Sequence, residues 1–154
     1  MKITDRLPKL PPWAFYLLSW TWGLPMTLLG ALTAAALLLT GHKCRKWGCC
    51  RYFEVGENWG GMELGMFFLV NRGSSEQLRC HEHGHSLQNC LLGPLMPFVV
   101  SIPSAVRYWY RELGERRGRK ALRAYDAVWF EGQATRLGRD FCRRLRKEAN
   151  RKIQ

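Results

Sequence analysis

The pentapeptide His81-Glu82-His83-Gly84-His85 holds three of the four histidines in the chain and follows the pattern H-E-x-x-H. On a helix, His81 and His85 stand one turn apart on one face, so both imidazoles can bind one tetrahedral zinc ion while Glu82 reaches a neighbouring water. That spacing suits hydrolysis of a peptide or protein substrate. Zinc acidifies water and polarises a carbonyl, and Glu82 takes the water's proton and later returns it to the leaving amine. Such a site needs three protein ligands and one open position. In zinc sites of the gluzincin kind the third ligand is a Glu on a later helix, and Glu131 in Trp129-Phe130-Glu131-Gly132-Gln133-Ala134 is the best candidate. The small Ala134, one turn on, lets two helices approach closely enough for the carboxylate to reach the metal. Asp126 and Glu112 stand in reserve, and His83, Arg107, Tyr108, Tyr110 and Tyr125 are the candidate oxyanion donors.

These residues need elements to position them. Residues 51–55 are rich in aromatic and branched side chains and read as a strand. Gly56, Gly60 and Gly61 mark a turn, and residues 62–70 read as a second strand, placed to be the edge that pairs with an extended substrate. Ser74 followed by Gln77 makes a capping-box signal for a helix from about 75 to 92, stopped by Gly93-Pro94. The histidines fall in its middle. After a link at 114–118, residues from about 119 to 152 read as two helical stretches, the later one amphipathic, with Leu137, Phe141 and Leu145 at four-residue steps among arginines. The expected fold class is α+β: an N-terminal membrane helix (1–42), then a small, mainly helical zincin-like domain with a short antiparallel sheet (43–154).

The membrane expectation rests on an interval. Between Lys9 and Lys43 there is no Asp, Glu, Lys or Arg, and residues 13–40 form an apolar run longer than the ~20 residues that cross a hydrocarbon core. A single spanning helix is the leading reading. Pro25 leaves open two shorter helices, 13–23 and 26–39, packed on the domain or lying in the interface. Residues 91–110 are also apolar, but Pro94, Pro97 and Pro103 interrupt them. Crossing there would separate the histidines from Glu131, so this segment is expected to pack on the domain or dip into the interface.

Net charge is +12, and residues 107–154 carry most of it. A basic C-terminal helix of this kind suits anionic lipid or, with less support from motifs, nucleic acid; it also fits a solvated helix face. Lys43, Arg45, Lys46 and Arg51 after the apolar run slightly outweigh the basic residues before it, which puts the catalytic domain on the cytoplasmic side. There the six cysteines would be free thiols. Cys44, Cys49 and Cys50 with His42 offer a second metal cluster or acylation sites.

The chain resembles a family of small, uncharacterised bacterial HExxH proteins. The resemblance is carried by Gly60-Gly61-Met62-Glu63-Leu64-Gly65, His81-Glu82-His83-Gly84-His85-Ser86-Leu87-Gln88, Leu92-Gly93-Pro94-Leu95, Ile102-Pro103-Ser104 and Glu131-x-x-Ala134-x-x-Leu137-Gly138. Trp22-Gly23-Leu24-Pro25 is similar as well. It implies a minimal gluzincin-like zinc metallopeptidase site at His81, Glu82, His85 and Glu131. His83 stands where the family pattern has Tyr. The competing function is a non-enzymatic metal-binding membrane protein, whose site would be closed by a fourth ligand such as Cys80 or Cys90.

Overall fold

The computed structural model describes residues 7–117 and 128–151. Asp126 and Tyr125 lie outside them. The fold is α+β, mostly helical with a small mixed sheet.

The apolar run folds as two helices, α1 (Pro12–Trp20) and α2 (Leu24–Leu39), bent by 92° at the break between them. This corrects the expectation of one spanning helix: no single described helix is long and apolar enough to cross a membrane. The physical reason is local. Gly23 closes the first helix with its N–H on the Leu18 carbonyl, and Pro25 enters the second at its first turn, where it needs no donor. Phe15 of α1 and Met26 of α2 are buried with residues of the later elements.

Four strands follow: β1 (Arg45–Trp47), β2 (Cys50–Glu54), β3 (Gly61–Leu64) and β4 (Phe67–Val70), in the order β1-β2-β4-β3. The expected single strand over 62–70 is a hairpin instead, because Gly65 adopts φ +71° and turns the chain. The sheet is mixed rather than antiparallel, since β2 pairs with β4 in parallel. The connection 55–60 reverses the chain and leaves one vacant strand position, about 4.8 Å wide, which β4 fills on its return. Bonds from Val55 N–H to Val70 O, Asn71 N–H to Gly60 O and Arg72 N–H to Gly56 O hold that connection. The edge strands are therefore β1 and β3.

Helix α3 (Glu76–Leu92) carries the histidines. Its N-cap is Ser75, whose hydroxyl accepts from Leu78 N–H at 3.2 Å, rather than Ser74. Ser74 instead receives the Arg79 guanidinium. Gly93, at φ +55°, ends α3; a 3₁₀ turn at Gly93–Leu95 and a π-turn at Pro97–Ser101 then lead into α4 (Ile102–Arg116), with the path bent by 116° at the break. Gly114, expected in a link, lies inside α4.

Helix α5 (Trp129–Arg151) runs antiparallel against α3, and the two backbones meet at two glycines. A Cβ on Gly84 would stand 2.0 Å from the Ala134 carbonyl oxygen, and one on Gly138 only 1.8 Å from that of Cys80. Cys80 and Cys142 join the same helices in a disulfide, which corrects the expectation of free thiols at both positions. Closing a loop of 62 residues removes unfolded-state entropy worth about 4 kcal/mol in the chain-entropy model. Gly138→Ala should lower stability by about 1–3 kcal/mol, the usual cost of overpacking, in denaturant titration. Gly114→Ala meets nothing within 4 Å and should be neutral or stabilising by up to about 1 kcal/mol.

Candidate metal centre

The antiparallel pairing of α3 and α5 determines which side chains meet. From one end of the contact to the other, Cys80 faces Gly138 and Cys142, His81 faces Thr135, Gly84 faces Ala134, His85 faces Glu131, and Gln88 faces Phe130 and Gln133. Because Gly84 lacks a Cβ, Glu131 comes within reach of both imidazoles.

Three ligand atoms converge there. His81 Nε2 and His85 Nε2 each lie 3.2 Å from Glu131 Oε2 and 3.1 Å from one another. Tetrahedral zinc with bonds of ~2.0–2.1 Å separates its ligands by about 3.3 Å, so the triangle needs almost no adjustment to hold such an ion. Glu131 is fully buried, His85 nearly so, and His81 keeps some exposure. Among the described residues this is the one grouping of three or more His, Cys, Asp or Glu side chains able to hold a metal ion. His42, Cys44, Cys49 and Cys50 form no such grouping: His42 Nδ1 meets Thr40 Oγ1 at 3.0 Å, and Cys50 is buried in the core. Glu112 pairs with Arg116 on exposed α4.

The surrounding hydrogen bonds prepare these atoms for a cation. The Gln88 amide nitrogen donates to Phe130 O at 2.8 Å and to Gln133 Oε1 at 2.7 Å, so its oxygen must face His85 Nδ1, 2.8 Å away. Phe130 O can only accept, which fixes the amide's orientation and makes His85 Nδ1 the protonated nitrogen. In the neutral ring Nε2 is then a bare lone pair, 3.2 Å from a carboxylate oxygen. Two acceptors that close repel unless a proton or a metal ion lies between them. Ser104 Oγ donates to Glu131 Oε1 at 2.5 Å, leaving Oε2 to the histidines. His81 Nδ1 is 3.0 Å from Thr135 Oγ1. Burial pushes the Glu131 carboxyl up, but where a proton rather than a metal ion fills that gap, hydrogen bonds from the His81 and His85 rings, with that from Ser104, outweigh it and hold the group well below the usual carboxylate range.

Glu82 is buried beside this group, and burial raises its carboxyl pKa against the opposing pull of His81 and His85, with Glu131 adding to the rise. Edge strand β3 passes directly over it: a Cβ on Gly61 would stand 2.4 Å from Glu82 Oε1. Glu63, also on β3, is a second buried acid whose carboxyl accepts from Gly65 N–H. Burial raises its pKa strongly, that bond opposes the rise, and Glu82 adds to it.

His83 is no oxyanion donor. Its ring is fully buried, stacked on Phe141 at 3.6 Å and facing Phe15 at 5.9 Å, and neither ring nitrogen has a hydrogen-bond partner. Arg107 and Tyr108 follow Ser104 by one turn and share its side of α4, whereas Tyr110 is exposed. The sequence reading missed Ser104 and Thr135 as supports of the triad and saw Gln88 only within a motif. The Ile102-Pro103-Ser104 motif was the available signal for Ser104.

No protein-family model, curated protein or solved structure matches this chain.

Burial lowers the His83 pKa from 6.5 to about 3. Between those values the unfolded chain binds a proton here that the folded chain refuses, so stability falls as pH falls through that window. His83→Phe should flatten this acid limb of a melting-temperature profile. It should also gain about 1–3 kcal/mol by removing unpaired buried nitrogens. If the triad holds a divalent metal ion, Ser104→Ala should weaken that binding about 10–100-fold in chelator competition with helix content unchanged.

Proposed function

We propose that this protein is a membrane-associated, zinc-dependent metallopeptidase of minimal gluzincin-like form. The observation that carries the reading is the convergence of His81, His85 and Glu131 from two helices beside the buried carboxyl of Glu82. Bound zinc supplies Lewis acidity toward a carbonyl and makes a water acidic. Glu82 accepts the proton of the attacking water and delivers it to the departing amine. Its raised pKa suits that exchange, because a more basic carboxylate takes the water's proton more readily than an ordinary one. An extended peptide can add to the free edge of β3, whose Gly61 leaves backbone alone between that edge and Glu82.

A non-enzymatic, structural metal site would be closed by a fourth protein ligand. Cys80 is spent in the disulfide, and Cys90 is buried 3.7 Å from Ser19 Oγ. Among the described residues the grouping has three members, which supports an open fourth position and hence catalysis.

Membrane association is supported by the apolar residues left on the surface. Trp13, Leu17, Leu28, Leu29, Leu32 and Leu39 are exposed on α1 and α2, and Phe98, Ile102, Val106, Trp109 and Leu113 project along one face of the π-turn and α4. The basic face of α5 suits anionic lipid. Topology receives opposed signals: the basic flank after the apolar run favours the cytoplasm, whereas the disulfide belongs to an oxidising compartment. We give the disulfide more weight, because the charge margin is small. Alkylation of the denatured, unreduced protein from intact cells should then label four cysteines; labelling of all six would return the domain to the cytoplasm.

Glu82→Gln tests the catalytic assignment. Hydrolysis of an unstructured protein should fall about 10²–10⁴-fold while zinc content by elemental analysis stays the same. Undiminished hydrolysis in that variant would remove Glu82 from the mechanism.

A further inference from the structure

A second polar concavity lies away from the metal centre, where α2 ends. Its volume is about 310 Å³, and Thr40, Gly41, His42, Lys43, Arg45, Glu54 and Arg72 line it. These come from the end of α2, the start of β1, the end of β2 and the turn after β4, so the fold gathers cations that the sequence keeps apart.

The charge balance favours an anion. Lys43, Arg45 and Arg72 stand against the single carboxylate of Glu54, which pairs with Arg45 at 3.4 Å. Among the described residues, neither Lys43 nor Arg72 has a carboxylate within ion-pairing distance. A helix C-terminus nearby would ordinarily repel an anion. Here three of the last four carbonyls of α2 are occupied: Thr40 N–H bonds to Ala36 O, Gly41 N–H to Leu38 O and His42 N–H to Leu37 O, and Thr40 Oγ1 reaches Leu37 O as well. Arginine forks match tetrahedral phosphate oxygens in geometry as well as charge.

The neighbourhood separates a lipid phosphate from a soluble one. Leu38 and Leu39, immediately before the cavity, are 55% and 90% exposed, and the outward face of α2 continues apolar through Leu32, Leu29 and Leu28. An acyl chain lying along that face would deliver its headgroup to Lys43 and Arg72. We propose that this cavity binds the phosphate group of an anionic phospholipid, and so fixes how α2 sits at the membrane. The inference rests on the membrane association proposed above.

Short-chain dihexanoyl phosphatidate, dihexanoyl phosphatidylcholine and inorganic phosphate are titrated into the full chain below micellar concentrations, with vesicle flotation in parallel. The expected result is saturable, one-to-one binding of the phosphatidate, at least ten-fold tighter than either other probe. Lys43→Ala and Arg72→Ala should each weaken it about ten-fold, the weight of one charge-assisted hydrogen bond. The control Lys9→Ala with Arg51→Ala, outside the cavity and off α5, should leave the titration unchanged; all four side chains are exposed, and circular dichroism checks folding. Inorganic phosphate binding as tightly as the lipid would overturn the lipid assignment. Equal losses in pocket and control variants would reduce the effect to diffuse attraction. Flotation without any saturable phosphatidate binding removes the site and leaves membrane association standing, whereas absence of flotation removes both.

Discussion

The contact on which everything else depends is the touching of two helix backbones at Gly84–Ala134 and Cys80–Gly138. A carboxylate side chain is short, and Glu131 reaches His81 and His85 only because no Cβ separates α3 from α5 at either crossing point. Adding one methyl group to either glycine would push the helices apart. Since the Glu131 oxygen sits 3.2 Å from both imidazoles, even a small separation would leave a gap that a metal–ligand bond cannot span. The register of that contact then sets the rest. Gln88 orients His85, Thr135 meets His81, and Ser104 approaches Glu131 from α4.

A polar centre so near the core would be costly if any member lacked a partner. The triad avoids this through its supporting bonds, whereas His83 on the opposite side of α3 does not. Its two unpaired nitrogens show that the core tolerates an imidazole as a flat ring between Phe15 and Phe141. Two neighbouring histidines on one helix thus have opposite physical characters, one aimed at a carboxylate and the other used for its faces.

Local signals were legible in the sequence. Helix α3 begins within a residue or two of its Ser and ends at its Gly-Pro, and H-E-x-x-H singled out residues that the fold indeed brings beside Glu131. The small residue at 134 was readable because close helix approach has a simple steric requirement. What escaped was non-local. Cys80 and Cys142 are separated by 62 residues with no spacing pattern between them, so nothing short of the helix register pairs them. The parallel pairing of β2 with β4 depends on a strand inserted after the chain has already reversed, and hydrophobic alternation carries no record of that order. The bend between α1 and α2 was readable at Pro25, but an apolar composition suits a spanning helix and a bent pair equally.

The disulfide occupies the residue immediately before the first metal-facing histidine, and its other half lies one turn beyond Gly138. The helix pair is therefore joined covalently beside His81, independently of any ion. Loss of a bound metal would leave α3 and α5 aligned, with Glu131 still opposite the two rings. Such a pair would act as a reusable receptor: its geometry would outlast the departure of any bound ion, and reloading would require diffusion of the metal without refolding of the chain.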